Sequence, residues 1–279
     1  MTAPDLGRGI GFLGGGNMGR ALIAALLRVG ANPALIRVIE SHPATAQALV
    51  ADYGVATLGD PLAVGAAIDT LVLAVKPQDM ASALQPLRAR LERERPLVIS
   101  VAAGLSVQQL QQWCGAEVPV VRAMPNRPAL EGVGATGLFA PAAVTATLRE
   151  RAASILGAAG IVVWVDDEAL MDVVTAVSGS GPAYFFRFAE ALAAAGMAAG
   201  LSKAAATELA RATLQGAGRM AQPGADLAAL RESVTSKGGT TAAALASFSD
   251  QDLERVVAAA VTAAVRRGRE LSSQAAAGG

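Results

Sequence analysis

The chain has one cysteine, Cys114, and one histidine, His42. A lone cysteine excludes a disulfide within the chain and any cysteine-cluster metal site, and a lone histidine leaves no ligand set for a zinc cage, so no metal is expected. Charge of one sign is also lacking: Lys+Arg 23 against Asp+Glu 23 gives a formal net charge of zero. A phosphate backbone needs a basic face to bind, so nucleic acid is not an expected partner. Every apolar run is broken by Gly, Pro or charge well before the roughly 18 residues that a membrane span needs. The N-terminus lacks a basic segment followed by an apolar stretch. These absences predict a soluble, cytoplasmic protein with no membrane partner. What the chain does have is apolar content: 53% hydrophobic against 16% charged residues, without a long like-charge block. Such a composition folds, and 279 residues predict two domains, since domains run to about 100 to 200 residues.

Short Val- and Ile-rich runs alternate with longer Ala/Leu segments from Ile10 to Val165, the pattern of a parallel sheet with crossover helices. Strands are predicted at Gly9 to Leu13, Leu35 to Ile39, Thr70 to Val75, Leu97 to Val101, Pro119 to Ala123, Ala135 to Phe139 and Ile161 to Val165. Helices are predicted near Met18 to Arg28, Ala44 to Asp52, Ala81 to Leu91, Val107 to Trp113 and Thr145 to Leu156. After Asp166 the strand pattern stops and only helical spacing remains. The fold class is therefore α/β followed by all-α: a doubly wound parallel sheet over 1–165, then a helical domain over 166–279. A long helix is predicted to begin at Pro182, a tolerated first-turn proline after Gly179-Ser180-Gly181. From Ala183 to Ala195 that helix is apolar nearly all round, with Tyr184, Phe185, Phe186 and Phe188, so a second subunit is expected to cover part of it. The low-complexity tail from Gln274 to Gly279 is expected to fray.

Chemistry concentrates in loops. Gly14-Gly15-Gly16-Asn17-Met18-Gly19 follows an apolar strand and opens an Ala/Leu helix, the context of a dinucleotide fingerprint. In that reading Gly14 allows the tight turn, Gly16 lets backbone approach a pyrophosphate and Gly19 lets helix pack closely on strand. The helix N-terminus then attracts the phosphates. At the end of the second strand the residues point two ways. Glu40 lies where an acidic residue would hold a ribose 2′-hydroxyl and favour NAD, whereas Arg37, Ser41 and His42 are placed for a 2′-phosphate. His42 fits a solvent-facing loop better than a recognition role and is assigned no catalytic one. Three more loops follow strands, where open α/β sheets bind ligands: Ala74-Val75-Lys76-Pro77, Ser100 to Gly104 with Ala102 and Ala103, and Met124-Pro125-Asn126. Lys76 is one of three lysines among twenty arginines, and reads as a cofactor contact or as a surface residue beside a helix-starting proline. In the helical part, Ser178 to Ala183 and Ser233 to Thr241 gather hydroxyls and glycines just before helices, offering N–H groups and Oγ atoms to an anion. Ordinary N-capping accounts for one hydroxyl at each place.

Together these residues resemble the Δ1-pyrroline-5-carboxylate reductases. The resemblance runs from the Gly14 fingerprint through Ala74 to Pro77, Val121-Arg122-Ala123-Met124-Pro125-Asn126 and Ala176 to Tyr184, to Val234-Thr235-Ser236 with Gly238-Gly239-Thr240-Thr241. It implies a Rossmann domain and a helical dimerisation domain interlocked with that of a second subunit, often built up into a decamer. It implies reduction of pyrroline-5-carboxylate to L-proline with NADPH, NADH being the second candidate. For the cofactor it implies Gly14, Gly16, Asn17, Met18, Gly19, Ser41, His42, Ala74, Val75, Lys76, Pro77, Ala102 and Ala103. For the substrate it implies Val234 against the ring, Ser236 Oγ with the N–H groups of Gly239 and Thr240 on the carboxylate, and Thr241 Oγ at the imine nitrogen as the catalytic contact. The chain departs from the family at Arg127, where threonine is usual, at Lys237, where proline is usual, and at Pro61, where asparagine is common. Two other readings stand beside this one. A β-hydroxyacid dehydrogenase-type oxidoreductase would need a catalytic lysine, with Lys203 and Lys237 as candidates. A non-enzymatic dinucleotide sensor has no use for a second anion loop.

Overall fold

The computed structural model describes residues 3–64, 68–222 and 224–277. Two compact units emerge, one from Met1–Gly179 and Ala264–Gly279, the other from Ser180–Ala263.

In the first unit, strands β1 (Ile10–Leu13), β2 (Ile36–Ile39), β3 (Ala56–Leu58), β4 (Thr70–Leu73), β5 (Leu97–Ser100), β6 (Val120–Met124), β7 (Gly134–Phe139) and β8 (Gly160–Trp164) form one sheet. Its order is β3-β2-β1-β4-β5-β6-β7-β8. All pairs are parallel except β6–β7, which is antiparallel. The order reverses between β1 and β4, and the crevice outside the carboxyl ends of those two strands is where doubly wound sheets bind ligands. The helices of this unit are α1 (Asn17–Arg28), α2 (Pro43–Tyr53), α3 (Met80–Leu84), α4 (Arg88–Glu94), α5 (Val107–Cys114), α6 (Ala146–Gly157) and α7 (Leu170–Val174).

Alternation along each strand sends neighbouring residues to opposite faces, and both faces are buried across the middle of the sheet, as parallel sheets require; at its edge in β8, Ile161 and Val163 stay about half exposed. Ile10, Phe12, Val72, Leu97 and Ile99 join Leu22 and Ile23 of α1, Leu49 of α2 and Ile155 of α6 on one side. Leu13, Leu71, Leu73 and Val98 join Met80, Leu84, Leu91, Leu110 and Cys114 on the other. Burial pushes the Cys114 thiol up to about 12, so this sulfur is neither ionised nor nucleophilic at neutral pH.

Three sequence expectations need correction. Strand β3 was not anticipated, because Ala-Thr-Leu carries no apolar run and is half-buried or exposed. The single helix expected over Ala81 to Leu91 is two, α3 and α4, because Pro86 sits in a 3-10 turn at Gln85–Leu87 and cannot continue the α hydrogen-bond ladder. The tail expected to fray is helical as far as Ala277, since alanine is the best helix former; Gly278 and Gly279 lie outside the described residues.

The second unit contains α8 (Gly181–Ala198), α9 (Lys203–Met220), α10 (Leu227–Ser233), α11 (Thr240–Asp250) and the first part of α12 (Leu253–Ala277). Helix α8 begins at Gly181 with Pro182 in its first turn, as expected. Helices α8 and α9 form a hairpin through Gly200 at φ +107. Phe188 stacks obliquely on Phe248, ring centroids 6.0 Å apart. Among the described apolar residues of this unit only Ala206 and Ala210 are buried. Phe185 remains 64% exposed, Phe186 60% and Val256 56%.

Candidate active site

The glycine loop is shaped by contacts that exclude side chains. Gly14 adopts φ +98, and a Cβ there would lie 3.0 Å from the carbonyl carbon and oxygen of Ala74 at the end of β4. A Cβ on Gly15 would run into Leu49 Cδ1, and one on Gly19 would lie 2.5 Å from the Gly14 carbonyl oxygen. Gly16 differs: its φ is −68 and a Cβ would meet nothing within 4 Å. The backbone at Gly16 therefore faces open space, although the fold itself makes no demand for glycine there. Gly16 is the N-cap of α1 and no side chain caps its first turn, which leaves N–H groups of a 12-residue helix available to an anion. Asn17 is exposed and Met18 half-buried in that turn. These features fit a dinucleotide pyrophosphate.

The loop is stitched to its neighbours. The Gly14 N–H donates to Ile39 O (2.9 Å) and the Ala74 N–H to Leu13 O (2.8 Å). Glu40 follows β2, and its carboxylate accepts from the Gly15 N–H through Oε2 (2.9 Å) and from the His42 N–H through Oε1 (2.8 Å). Ser41 and His42 are exposed, and His42 is the N-cap of α2 without a side-chain capping bond.

Next along the sheet, Ala74 and Val75 are half-buried, and exposed Lys76 caps the 3-10 turn Pro77–Asp79 by position only, without a side-chain bond. Ala102 and Ala103 follow β5, where the Ala102 N–H points to Ser100 Oγ at 3.4 Å. Gly104 at φ +79 lies against the end of α12, a Cβ there being 3.5 Å from Ser272 Oγ. After β6, Asn126 is 8% exposed. Its amide nitrogen donates to Ser178 O (3.1 Å), and its amide oxygen accepts from the Ala135 N–H (2.9 Å). Ser178 lies in a π-helical turn, Thr175–Gly179, the irregularity that often marks functional positions. Its Oγ is buried without a partner among the described residues. Sequence reasoning flagged both segments without linking them, since nothing local signals a bond across 52 residues. It also missed Glu168, whose Oε1 accepts from Arg122 Nη1 and from the Val107 N–H that opens α5, both at 2.7 Å.

In the second unit, α10 ends at Ser233 and α11 starts at Thr240. Between them, Val234 is 55% exposed and Gly238 takes φ +72. The Gly239 N–H donates to Ser236 O (3.0 Å). A Cβ at Gly239 would displace the Ser236 hydroxyl from its present position. Gly239 is the N-cap of α11, without a side-chain bond to the first turn. Thr240 and Thr241 are therefore the first two helical residues rather than caps. Thr241 is half-buried, and its hydroxyl has no partner among the described residues. Ser236, Gly239, Thr240 and Thr241 thus share one turn that presents hydroxyls and helix N–H groups to an anion. Lys203, the first residue of α9, and Lys237 are both exposed.

Residues 168–271 match the model of the pyrroline-5-carboxylate reductase dimerisation family, and residues 9–104 match the NADP oxidoreductase, coenzyme F420-dependent family. A pyrroline-5-carboxylate reductase of Pseudomonas aeruginosa is 42% identical over 266 residues, 95% of this chain and 97% of that protein. The chain belongs to the pyrroline-5-carboxylate reductase family. A Haemophilus influenzae member is 41% identical over 95% of this chain and 97% of its own length. The structure of the Coxiella burnetii reductase is similar at a TM-score of 0.90 and 38% identity, covering 94% of this chain and 97% of that one. A Plasmodium falciparum pyrroline carboxylate reductase solved with NADP bound is similar at 0.77 and 27% identity, over 98% of this chain and 100% of that one. The family has the Rossmann-like sheet and the helical C-terminal part seen here.

Proposed function

We propose that this protein reduces Δ1-pyrroline-5-carboxylate to L-proline with NAD(P)H, the last step of proline biosynthesis. The observation that carries the reading is likeness to such reductases over 95% of the chain, which spans the glycine loop and the Ser236 to Thr241 turn alike. Of the two nucleotides we assign NADPH as the preferred donor, on the family resemblance and on the NADP-bound Plasmodium relative, with NADH as the second. The assigned parts are 1–165 for the dinucleotide and 166–279 for dimerisation and substrate.

The bound nicotinamide supplies a hydride from its C4 to the imine carbon. The substrate nitrogen arrives protonated or takes one proton from solvent, so with the hydride the C=N bond would become CH–NH. Little acid catalysis is required, which suits a chain with one histidine, and position with electrostatics provides the rate. The Gly14 to Gly19 loop holds the pyrophosphate on backbone N–H groups. Asn17, Met18, Ser41, His42 and Lys76 line the cofactor's course, with Ala74, Val75, Pro77, Ala102 and Ala103 as small or apolar walls. Ser236 Oγ and the Thr240 N–H take the substrate carboxylate; the Gly239 N–H, which the resemblance assigns with them, already donates to Ser236 O at 3.0 Å and reaches the carboxylate only by sharing that bond. Val234 covers the ring, and Thr241 Oγ bonds the imine nitrogen. Lys203 and Lys237 are the only lysines a β-hydroxyacid dehydrogenase could use in this part, and no observation favours that chemistry or a non-enzymatic sensor. Mixing the protein with NADPH and pyrroline-5-carboxylate should consume absorbance at 340 nm and yield proline. Turnover of a β-hydroxy acid instead would replace this reading.

The working form we infer is a cytoplasmic homodimer joined through the helical unit, with a decamer as the larger assembly. Its support is the dimerisation-family match over 168–271 and the exposure of Phe185 and Phe186. No helix of the described residues is long and apolar enough to cross a membrane. Light scattering should give a dimer or a multiple of it at micromolar concentration, and Phe186→Asp should shift it towards monomer. A folded, active monomer of the unaltered chain would contradict the assignment.

A further inference from the structure

We infer that Asn126 is a positioning residue for hydride transfer, holding the Thr175–Gly179 π-turn in the register that makes it a wall of the nicotinamide half of the cofactor site. The inference rests on the NAD(P)H reading above and adds a residue that neither the glycine loop nor the Ser236 to Thr241 turn contains. A sheet that runs β3-β2-β1-β4-β5-β6 is built from two mononucleotide-binding halves. The fingerprint and the ribose position after β2 belong to the first half, so the nicotinamide falls to the loops after β4, β5 and β6. Asn126 follows β6, which pairs with β5 and so sets it beside the loop of Ala102 and Ala103. In this chain the loop after β6 does not end in solvent. Asn126 is buried, and Met124 lies against the π-turn, its Cε 2.8 Å from where a Cβ on Gly179 would stand.

Both partners of the Asn126 carboxamide are backbone groups of fixed polarity. Ser178 O accepts from Nδ2 at 3.1 Å and the Ala135 N–H donates to Oδ1 at 2.9 Å, a donor and an acceptor that one carboxamide supplies together. The turn needs such a hold. Inside a helix, serine and threonine hydroxyls fold back onto the carbonyl four residues earlier, and Thr175 does so to Met171 O at 2.8 Å. Ser178 does not: its Oγ is buried without a partner among the described residues, while its carbonyl goes to Asn126. An unpaired buried hydroxyl is unfavourable, and in an ordinary α-turn the Val174 carbonyl would pair it. Asn126 selects the π register against that alternative. The upstream end of the segment is held separately, Glu168 accepting from Arg122 Nη1 and from the Val107 N–H, so losing the Asn126 bond relaxes the turn and not the whole segment.

The test compares the unaltered chain with Asn126→Asp, which keeps the acceptor for Ala135 and loses the donor, and with Asn126→Ala, which is neutral and loses both. In the cofactor-free protein, amide hydrogen exchange across 175–179 should quicken about tenfold in the variants, the scale of one ordinary hydrogen bond, while β1 and β4 keep their protection. With pyrroline-5-carboxylate, kcat should fall by roughly ten- to a hundredfold, the cost of a misplacement near 1 Å, and the NADPH dissociation constant should barely move. The deuterium isotope effect on kcat, from NADPH labelled at the transferred C4 position, should rise as hydride transfer becomes slower than product release. Either variant decides the matter if the other does not fold. Unchanged exchange at 175–179, unchanged kcat, or a loss of kcat/KM accounted for by weaker NADPH binding overturns the role of Asn126, and the reductase reading then stands on turnover by the unaltered chain. No turnover by the unaltered chain overturns both.

Discussion

Gly16→Val should abolish dinucleotide binding while leaving the protein folded. The two halves of this outcome come from different observations. A Cβ at Gly16 meets nothing within 4 Å and φ is −68, so valine is sterically admissible in the unliganded loop; the melting temperature should move by no more than about 2 to 4 °C, a shift of roughly 1 kcal/mol or less. The open space is the volume the pyrophosphate needs to reach the N–H groups of α1, and a branched side chain fills it. NADPH affinity should fall by about two orders of magnitude or more, read by fluorescence titration. Gly14→Ala is the contrasting variant: φ +98 and the 3.0 Å approach to Ala74 predict damage to the fold itself. Unchanged NADPH affinity in Gly16→Val would remove the glycine loop from the cofactor site.

The second large effect belongs to Thr241. If its hydroxyl bonds the imine nitrogen as charge changes during hydride transfer, Thr241→Val lowers kcat and kcat/KM together, by roughly tenfold to a thousandfold. NADPH affinity should hardly change. A competing role as helix cap would cost about 1 kcal/mol of stability instead, and the structure weakens that role, because Gly239 is the N-cap of α11 and the Thr241 hydroxyl has no partner among the described residues. Valine keeps the shape at this half-buried position, so the melting temperature should hold. A lowered melting temperature with normal turnover would take Thr241 off the substrate and leave Ser236 Oγ and the Thr240 N–H as the main contacts.

What the sequence made legible is local. The strands whose residues alternate between two buried faces, such as Ile10 to Leu13 and Leu97 to Ser100, stood out as apolar runs. The glycine loop and the start of α8 at Gly181-Pro182 were readable because each follows from the backbone demands of neighbouring residues. What stayed hidden depends on partners far along the chain. Strand β3 exists because Leu58 O accepts the Glu40 N–H and its residues pair with β2, not because Ala-Thr-Leu favours a strand. The Asn126 to Ser178 bond and the Glu168 clamp on Arg122 and Val107 join elements 46 to 61 residues apart. Glu40 lay between these cases: its position relative to the fingerprint was readable, and its hold on Gly15 was not. The turn from Ser236 to Thr241 was recognisable by composition, while the fact that Gly239 rather than a hydroxyl caps α11 needed the backbone.

The scarcity of interior in the second unit bears on how the chain reaches its folded state. A segment whose buried apolar side chains among the described residues are Ala206 and Ala210 removes too little apolar surface from water to offset the entropy of ordering its own backbone. Its folding is then thermodynamically linked to whatever covers α8. With a second copy as the cover, a melting temperature is a property of the solution as much as of the chain, rising with protein concentration by mass action. The effect of any substitution on this unit's stability then has meaning only at a stated subunit concentration. The sheet-bearing unit, with a buried cluster on each face of its sheet, carries an interior of its own.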